Sequence, residues 1–317
     1  MANEAAHTHI PSEEEYPSVH LLLLVTGSVA AIKTGLLLDQ LSTERCNIRI
    51  AATKAASHFL RRAQPSQTGI PFQSIITDEQ EWAEWQALND AVVHIELRRW
   101  ADLVVIAPLN ANTLAKVATG ICDNLVSSVM RAWEIRVKPV IVCPAMNTAM
   151  WTHPLTSIHL SQLEILYKEL PCMVAAPNET ATASTGKGTA SPTAATSTSS
   201  TAGDVACPVT ELMPELRLPA TLKDAMFQIV GPISKRLACG DNGVGGMASV
   251  EEIAAHIRHT MKLIREEKRR QFREAHESTQ GTAASLAAVA GPVELDSAEP
   301  KKKASPTAEA PVSANAA

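Results

Sequence analysis

Two short apolar runs, Leu103 to Ala107 and Val140 to Cys143, are each closed at once by a polar, small-residue turn. They are rich in Val and Ile and bounded by Asp, Asn or Pro, which predicts buried strands. The same pattern occurs earlier. Val19 to Val25 is aliphatic and ends in Thr26-Gly27-Ser28; Val29 to Leu41 then places Ile32, Leu36, Leu37 and Leu41 at helical spacing. Asn47 to Thr53 reads as a second strand, leading into a helix over Lys54 to Arg62. Later come a helix over His153 to Tyr167, with Pro154 in its first turn, and a last strand over Met226 to Val230. A long helix from Ser249 to about Arg273 closes the pattern, with Ser249 and Glu252 at capping-box spacing. Strand alternating with helix predicts an α/β protein: a Rossmann-like, three-layer parallel sheet with helices on both faces. In such a sheet ligands bind beyond the carboxyl ends of the strands. The turns at 108–113 and 144–147 are therefore expected to line one crevice.

Composition sets the bounds of the folded part. Residues 1–17 are polar and without apolar period, and read as a disordered tail before a domain over 18–273. Within that domain, about 178–204 is Thr, Ser, Ala and Gly, which cannot bury enough apolar area to offset its ordering entropy, so a disordered insertion is expected. Residues 274–317, rich in Ala, Ser and Pro, read as a second disordered tail. The glycines between Lys235 and Met247 predict a mobile loop that acts as a flap.

Charge removes several function classes. The net charge of -5 offers no basic field for nucleic acid, and the basic run Lys262 to Arg273, interleaved with Glu266 and Glu267, reads as a solvated helix face. No stretch reaches the roughly 18 apolar residues of a membrane span, and the acids Glu13 to Glu15 precede the first apolar run where a leader would be basic. A cytoplasmic protein without membrane or nucleic-acid partners is expected. The 6 cysteines show no CxxC pair, so neither a disulfide framework nor a zinc site is expected. His256 and His259 lie at helical spacing but lack a third ligand, and no metal is assigned.

Taken singly, the chemical candidates are ambiguous. Gly27 would let backbone N–H groups approach an anion at a helix start, yet without GxGxxG spacing it reads equally as an ordinary turn. His94 alone reads as a structural histidine, Asn147 as a turn residue and Cys239 as a buried hydrophobe.

Their sequence contexts are more specific. HIELRRWAD from His94, APLNANTLAKVATGICDNL from Ala107, PAMNTAMW from Pro144 and RLACGDNGVGGMA from Arg236 occur in that order. Together they closely resemble the phosphopantothenoylcysteine decarboxylases of coenzyme A synthesis, within the homo-oligomeric flavin-containing Cys decarboxylases. The likeness covers roughly residues 19–170 and 226–255.

The resemblance implies an FMN-dependent homotrimer with active sites between subunits. It implies that Gly27, Ser28, Val29, Thr53, Lys54 and Ala55 hold the phosphate and ribityl side of FMN, and that Asn110, Ala111, Asn112, Thr113 and Ala145 contact the flavin. The family usually carries Ser where Asn110 and Ala55 stand, so two hydroxyls are missing here. His94, Asn147 and Cys239 take catalytic roles by the same likeness, and Met150, Arg99 and Ala238 join Asn147 at the substrate. Arg99 reads either as an anion contact or as the partner of a carboxylate across a subunit contact.

The implied chemistry suits these groups. Loss of CO₂ from a cysteine carboxylate leaves electrons on carbon, and a cofactor must supply the sink. In this family the thiol end is oxidised to a thioaldehyde, CO₂ leaves as an enethiolate forms, and the product is then reduced. A neutral amide orients the carboxylate without over-stabilising the ground state. An imidazole, ordinarily titrating near about 6.5, handles protons at neutral pH, and a thiol near about 8.5 stays protonated and can donate. The alternatives are a non-enzymatic protein phosphatase regulator of the fungal halotolerance type, a peptidyl-cysteine decarboxylase or a flavin prenyltransferase. The first is set against by the presence of Cys239 and the lack of an acidic tail, the others by HIELRRWAD and ACGD.

Overall fold

In the computed structural model, which describes residues 18–63, 74–169, 218–236 and 242–289, the apolar runs are buried on two faces at once. Successive side chains of a strand point to opposite faces. In β1 (Val19–Val25), Val19, Leu21, Leu23 and Val25 accordingly enter one apolar cluster, and Leu22 and Leu24 another. β4 (Leu103–Leu109) and β5 (Val140–Pro144) divide likewise, with Val105 and Ile141 on the first face and Val104 and Val140 on the second. Strands covered on both faces need apolar residues at every position, hence the continuous runs.

β2 (Cys46–Ala52), β3 (Ile75–Ile76) and β6 (Phe227–Ile229) complete a parallel sheet of order β3-β2-β1-β4-β5-β6. The chain reverses its direction of winding between β1 and β4, which opens a crevice there. The first face is covered by α1 (Thr34–Gln40), α2 (Lys54–Leu60) and the early turns of α9 (Val250–Val289), through Leu37, Leu60, Ile253 and Ile257. The second is covered by α4 (Val93–Trp100), α5 (Ala111–Thr119), α6 (Leu125–Ala132) and α8 (Pro154–Glu164), through Leu97, Leu114, Val129 and Leu160. The three-layer α/β architecture is thus as expected.

Four local expectations change. Val29 to Leu41 is not one α-helix: a 3₁₀ turn over Val29–Lys33 precedes α1, because Ala31 N–H closes early on Ser28 O at 3.0 Å. The glycine-rich segment is not simply a loop, since its arms pair as an antiparallel hairpin of β7 (Ile233–Arg236) and β8 (Asn242–Gly246). The basic run of α9 is only partly solvated: Lys268 Nζ lies 2.6 Å from Asp102 and Arg265 donates to Arg45 O at 3.0 Å. Beyond residue 274, where a disordered tail was expected, α9 runs on to Val289 through residues that mostly favour helix.

Contacts divide the chain into Met1–Arg269 and Arg270–Ala317. In the second unit α9 continues, with an Arg270–Glu274 pair at 3.8 Å. The expected first tail (1–17), the insertion at 178–204, Ala238 and Cys239, and residues 290–317 lie outside the described residues.

Candidate functional site

Three helical segments begin side by side at the carboxyl ends of β2, β1 and β4. Each start is capped by a side chain that accepts from the first turn: Thr53 from Ala56 N–H, Ser28 from Ala30 N–H and Asn110 from Thr113 N–H. The first N–H groups of a helix have no intrahelical acceptor, and the helix dipole favours an anion there. A phosphate fits such a cluster of starts. Gly27 permits it to close up, since a Cβ at Gly27 would sit 2.5 Å from Ala55 Cβ.

The crevice is stitched across the β1–β4 boundary. Thr26 Oγ1 donates to Pro108 O at 2.7 Å and accepts from Asn110 N–H at 2.9 Å. Asn110 Nδ2 donates to Gly27 O at 2.9 Å while its Oδ1 caps α5 at 2.8 Å. The amide therefore does the capping a serine hydroxyl would do and adds a bond that serine lacks. At Ala55 the missing hydroxyl leaves a methyl group packed on Gly27. Ala145 N–H donates to Leu109 O at 2.9 Å, which places the turn after β5 beside the turn after β4. The residues expected at the flavin are thus brought to one edge: 27–29, 53–55, 110–113 and Ala145.

Asn147 stands on the same edge, exposed, at the start of α7 (Thr148–Trp151), where its Oδ1 accepts from Met150 N–H at 2.8 Å. Met150 is exposed beside it. The hairpin seats directly on this turn. Met146 N–H donates to Gly245 O at 2.9 Å, and a Cβ at Gly245 (φ +131) would strike Met146 O. A Cβ at Gly243 would strike Thr148 Oγ1. The glycines thus let β8 lie flat against the Asn147 turn, with residues 237–241, Cys239 among them, joining its two strands.

His94 lies elsewhere. It opens α4 and borders a cavity of about 510 Å³ lined by Asp78, Glu81, Trp82, Cys122, Asn124 and neighbouring residues, none of them from the crevice. Its Nδ1 is 2.6 Å from Glu81 Oε1 on α3 (Asp78–Glu84). Most of the HIELRRWAD segment is structural. Arg98 bonds Ala132 O and Glu134; Trp100 stacks on His20 at 4.7 Å and has the Arg49 guanidinium 4.4 Å from its ring centroid; and Asp102 Oδ2 accepts from His20 N–H. Arg99 is exposed and pairs at 2.9 Å with Glu96 on its own helix. Glu81 was not singled out from sequence, because 13 residues of separation carry no periodic signal.

The described thiols narrow the chemistry. Cys143 is wholly buried, and burial, with Glu252 as a second cause, pushes its thiol far above the ordinary range. Burial and then Glu44 also raise Cys46. His256 is buried against Gln228, at 3.0 Å, and His259 bonds Pro219 O, so this pair is structural. Among the described residues no group of three or more His, Cys, Asp or Glu could hold a metal ion.

Comparison with known proteins supplies the context. Residues 9–200 match the family described as Flavoprotein. A phosphopantothenoylcysteine decarboxylase of Mus musculus is 37% identical over 250 residues, covering 78% of this chain and 89% of its own. One of Arabidopsis thaliana is 36% identical over 263 residues, covering 83% and 90%. A solved PPC decarboxylase, a Cys-to-Ser mutant complexed with pantothenoylaminoethenethiol, is 34% identical with a TM-score of 0.53, over 76% of this chain and 97% of that one. The structure of the FMN binding protein AtHal3 is also 34% identical, with a TM-score of 0.50, over 76% and 96%.

Proposed function

The chain belongs to the phosphopantothenoylcysteine decarboxylases of the Flavoprotein family, and from that premise we propose how its residues act. It is an FMN-dependent carboxy-lyase that converts phosphopantothenoylcysteine to phosphopantetheine in coenzyme A biosynthesis. The observation that carries the reading is the juxtaposition of three capped helix starts with the Asn147 turn and the hairpin seated on it.

Gly27, Ser28, Val29, Thr53, Lys54 and Ala55 would hold the FMN phosphate and ribityl chain, and Asn110 to Thr113 with Ala145 would border the ring. Bound there, FMN would supply the two-electron sink and source that the substrate lacks. Asn147 spends its carbonyl oxygen on the α7 cap, so its Nδ2 hydrogens are the ones offered to the substrate carboxylate. Being neutral, that amide orients the carboxylate without a counter-charge that would resist its loss. Met150 packs beside it. His94 moves a substrate proton through its imidazole, and Cys239, with Ala238 next to it, donates a proton to the reduced product. Arg99 pairs with a carboxylate at a subunit boundary or meets the anionic substrate.

The His94 cavity does not include Asn147, and the reading that unites them is a site completed by a second copy. The site is therefore assigned to the boundary between subunits of a homotrimer. Two features support that assignment: the His94 cavity shares no lining residue with the crevice, and Val29, Ile32 and Leu36 form an exposed apolar stripe beside Gly27. Among the described residues no helix is long and apolar enough to cross a membrane. The reaction is placed in the cytoplasm, where a phosphorylated, water-soluble substrate would be met.

Incubation of the FMN-loaded protein with phosphopantothenoylcysteine should release CO₂ and phosphopantetheine in equal amounts, and the absence of both would overturn the reading. With Cys239→Ser, CO₂ should still be released with an unreduced enethiol as product, in an amount matching the bound flavin when oxygen is excluded and beyond it only when air reoxidises the flavin. Normal phosphopantetheine formation in that variant would remove Cys239 from the mechanism.

A further inference from the structure

The His94 cavity holds a carboxylate to which the reaction, as set out so far, gives no role. We propose that Glu81 is a positioning residue for His94: it accepts the Nδ1 proton, leaves Nε2 free as the base, and stabilises the imidazolium formed when Nε2 takes a substrate proton. The inference rests on the proton-handling role of His94 proposed above.

The geometry is direct. Glu81 Oε1 lies 2.6 Å from His94 Nδ1, and the side chains are 13% and 28% exposed. An ionised carboxylate only accepts, so Nδ1 must carry the proton. The bond is charge-assisted once the ring is protonated, and the other ring nitrogen is then the free one. No covalent bond changes: one proton moves from substrate to Nε2, and the positive charge that results is met by the carboxylate already in place.

α3 is built for this contact more than for packing. It has no buried residue, and Trp82 on it and Trp85 just after it are 77% and 49% exposed. Polar contacts hold it instead. A capping box joins Thr77 and Gln80, and Asp78 Oδ1 accepts from Leu125 N–H at 2.7 Å, at the first turn of α6. α4 is fixed through buried Val93 and Leu97 in the same apolar cluster as Leu125 and Val129 of α6. Both partners of the pair are thus referenced to one helix. The other titratable groups on the cavity are Asp78, held by Leu125, Asp123, held by Lys116 at 2.7 Å, and Cys122. On α4 itself Glu96 pairs with Arg99, and Arg98 with Glu134. At 13% and 28% exposure the pair is mostly buried, so the melting temperature of Glu81→Gln is read beside its kinetics.

The test uses the full FMN-loaded chain with phosphopantothenoylcysteine across pH. Glu81→Gln should lower kcat roughly tenfold or more with KM within about twofold, and should move the acid limb of kcat/KM to lower pH. Glu81→Asp, which keeps the charge, should hold the limb in place and recover part of the turnover. In a His94→Asn background, Glu81→Gln should cost nothing further. Nitrogen NMR of the His94 ring in the unsubstituted protein should report the Nδ1–H tautomer, a readout that needs no variant to fold. An Nε2–H tautomer, an unchanged rate and limb in Glu81→Gln, or an undiminished loss in the His94→Asn background would each overturn the proposal. Full turnover in His94→Asn would overturn the role of His94 together with it. Inactive His94→Asn beside unaffected Glu81→Gln would overturn the Glu81 role alone.

Discussion

Asn147 commits its amide oxygen to the α7 cap, through Met150 N–H. On the reading proposed above, the nitrogen is the donor to a substrate carboxylate. Asn147→Asp would keep the cap acceptor, remove the donor and set a negative charge against the carboxylate. Like charges brought together cost several kcal/mol, and about 1.4 kcal/mol is a factor of ten. The expected result is a fall in kcat/KM of roughly a hundredfold or more, read as CO₂ release. Flavin absorbance and melting temperature should stay near those of the parent, and an active Asn147→Asp would sever Asn147 from the substrate. Asn110 shows the same economy: one amide caps α5 and also reaches Gly27 O, joining two of the three helix starts.

Among the elements, α9 is tied to the sheet by a buried polar network as well as by apolar packing. Gln228 on β6 donates to Thr260 Oγ1 at 2.9 Å and to Ala225 O, which turns its Oε1 toward His256 Nδ1–H. Burial, with His259 as a second cause, holds the His256 imidazole below its ordinary value of 6.5. As pH falls below that value, the unfolded chain takes up a proton that the folded chain refuses. The unfolded state then binds more protons, so stability drops until the depressed folded value is passed. Removing the imidazole should remove this slope. His256→Gln should therefore show a smaller fall in melting temperature between about pH 7 and about pH 5 than the parent, whatever its absolute stability. Equal slopes would discount His256. The hairpin makes a complementary point: its glycines look like flexibility in the sequence, yet Gly243 and Gly245 serve close contact with Thr148 and Met146.

At the scale of the whole molecule, His94 and Asn147 are both present in the chain yet share no cavity within one protomer. The trimer reading has a quantitative consequence. His94→Asn and Asn147→Asp should each be inactive alone, but dissociating and reassembling an equal mixture should restore activity. If each site takes His94 from one subunit and Asn147 from the next, random assembly makes about a quarter of the sites intact. No recovery in reassembled mixed trimers would return the whole site to a single protomer.

Five of the six strands of the parallel sheet, the turns that end them and the crevice were legible because local rules govern them: apolar runs, helix spacing and small-residue turns each act over a few neighbouring positions; the two-residue β3 and the order of strands in the sheet were not. The four motifs likewise marked the family on residue order alone. Which face each leucine of β1 enters was not legible, because in a run apolar at every position the period of two leaves no trace. Nor was the division of HIELRRWAD into one candidate acid–base group and a set of struts, since that depends on His20, Ala132 and Glu134, which are distant in sequence. Glu81 stayed hidden for the same reason. A contact between two helices is fixed by how both pack against a third, and only the folded chain contains that relation.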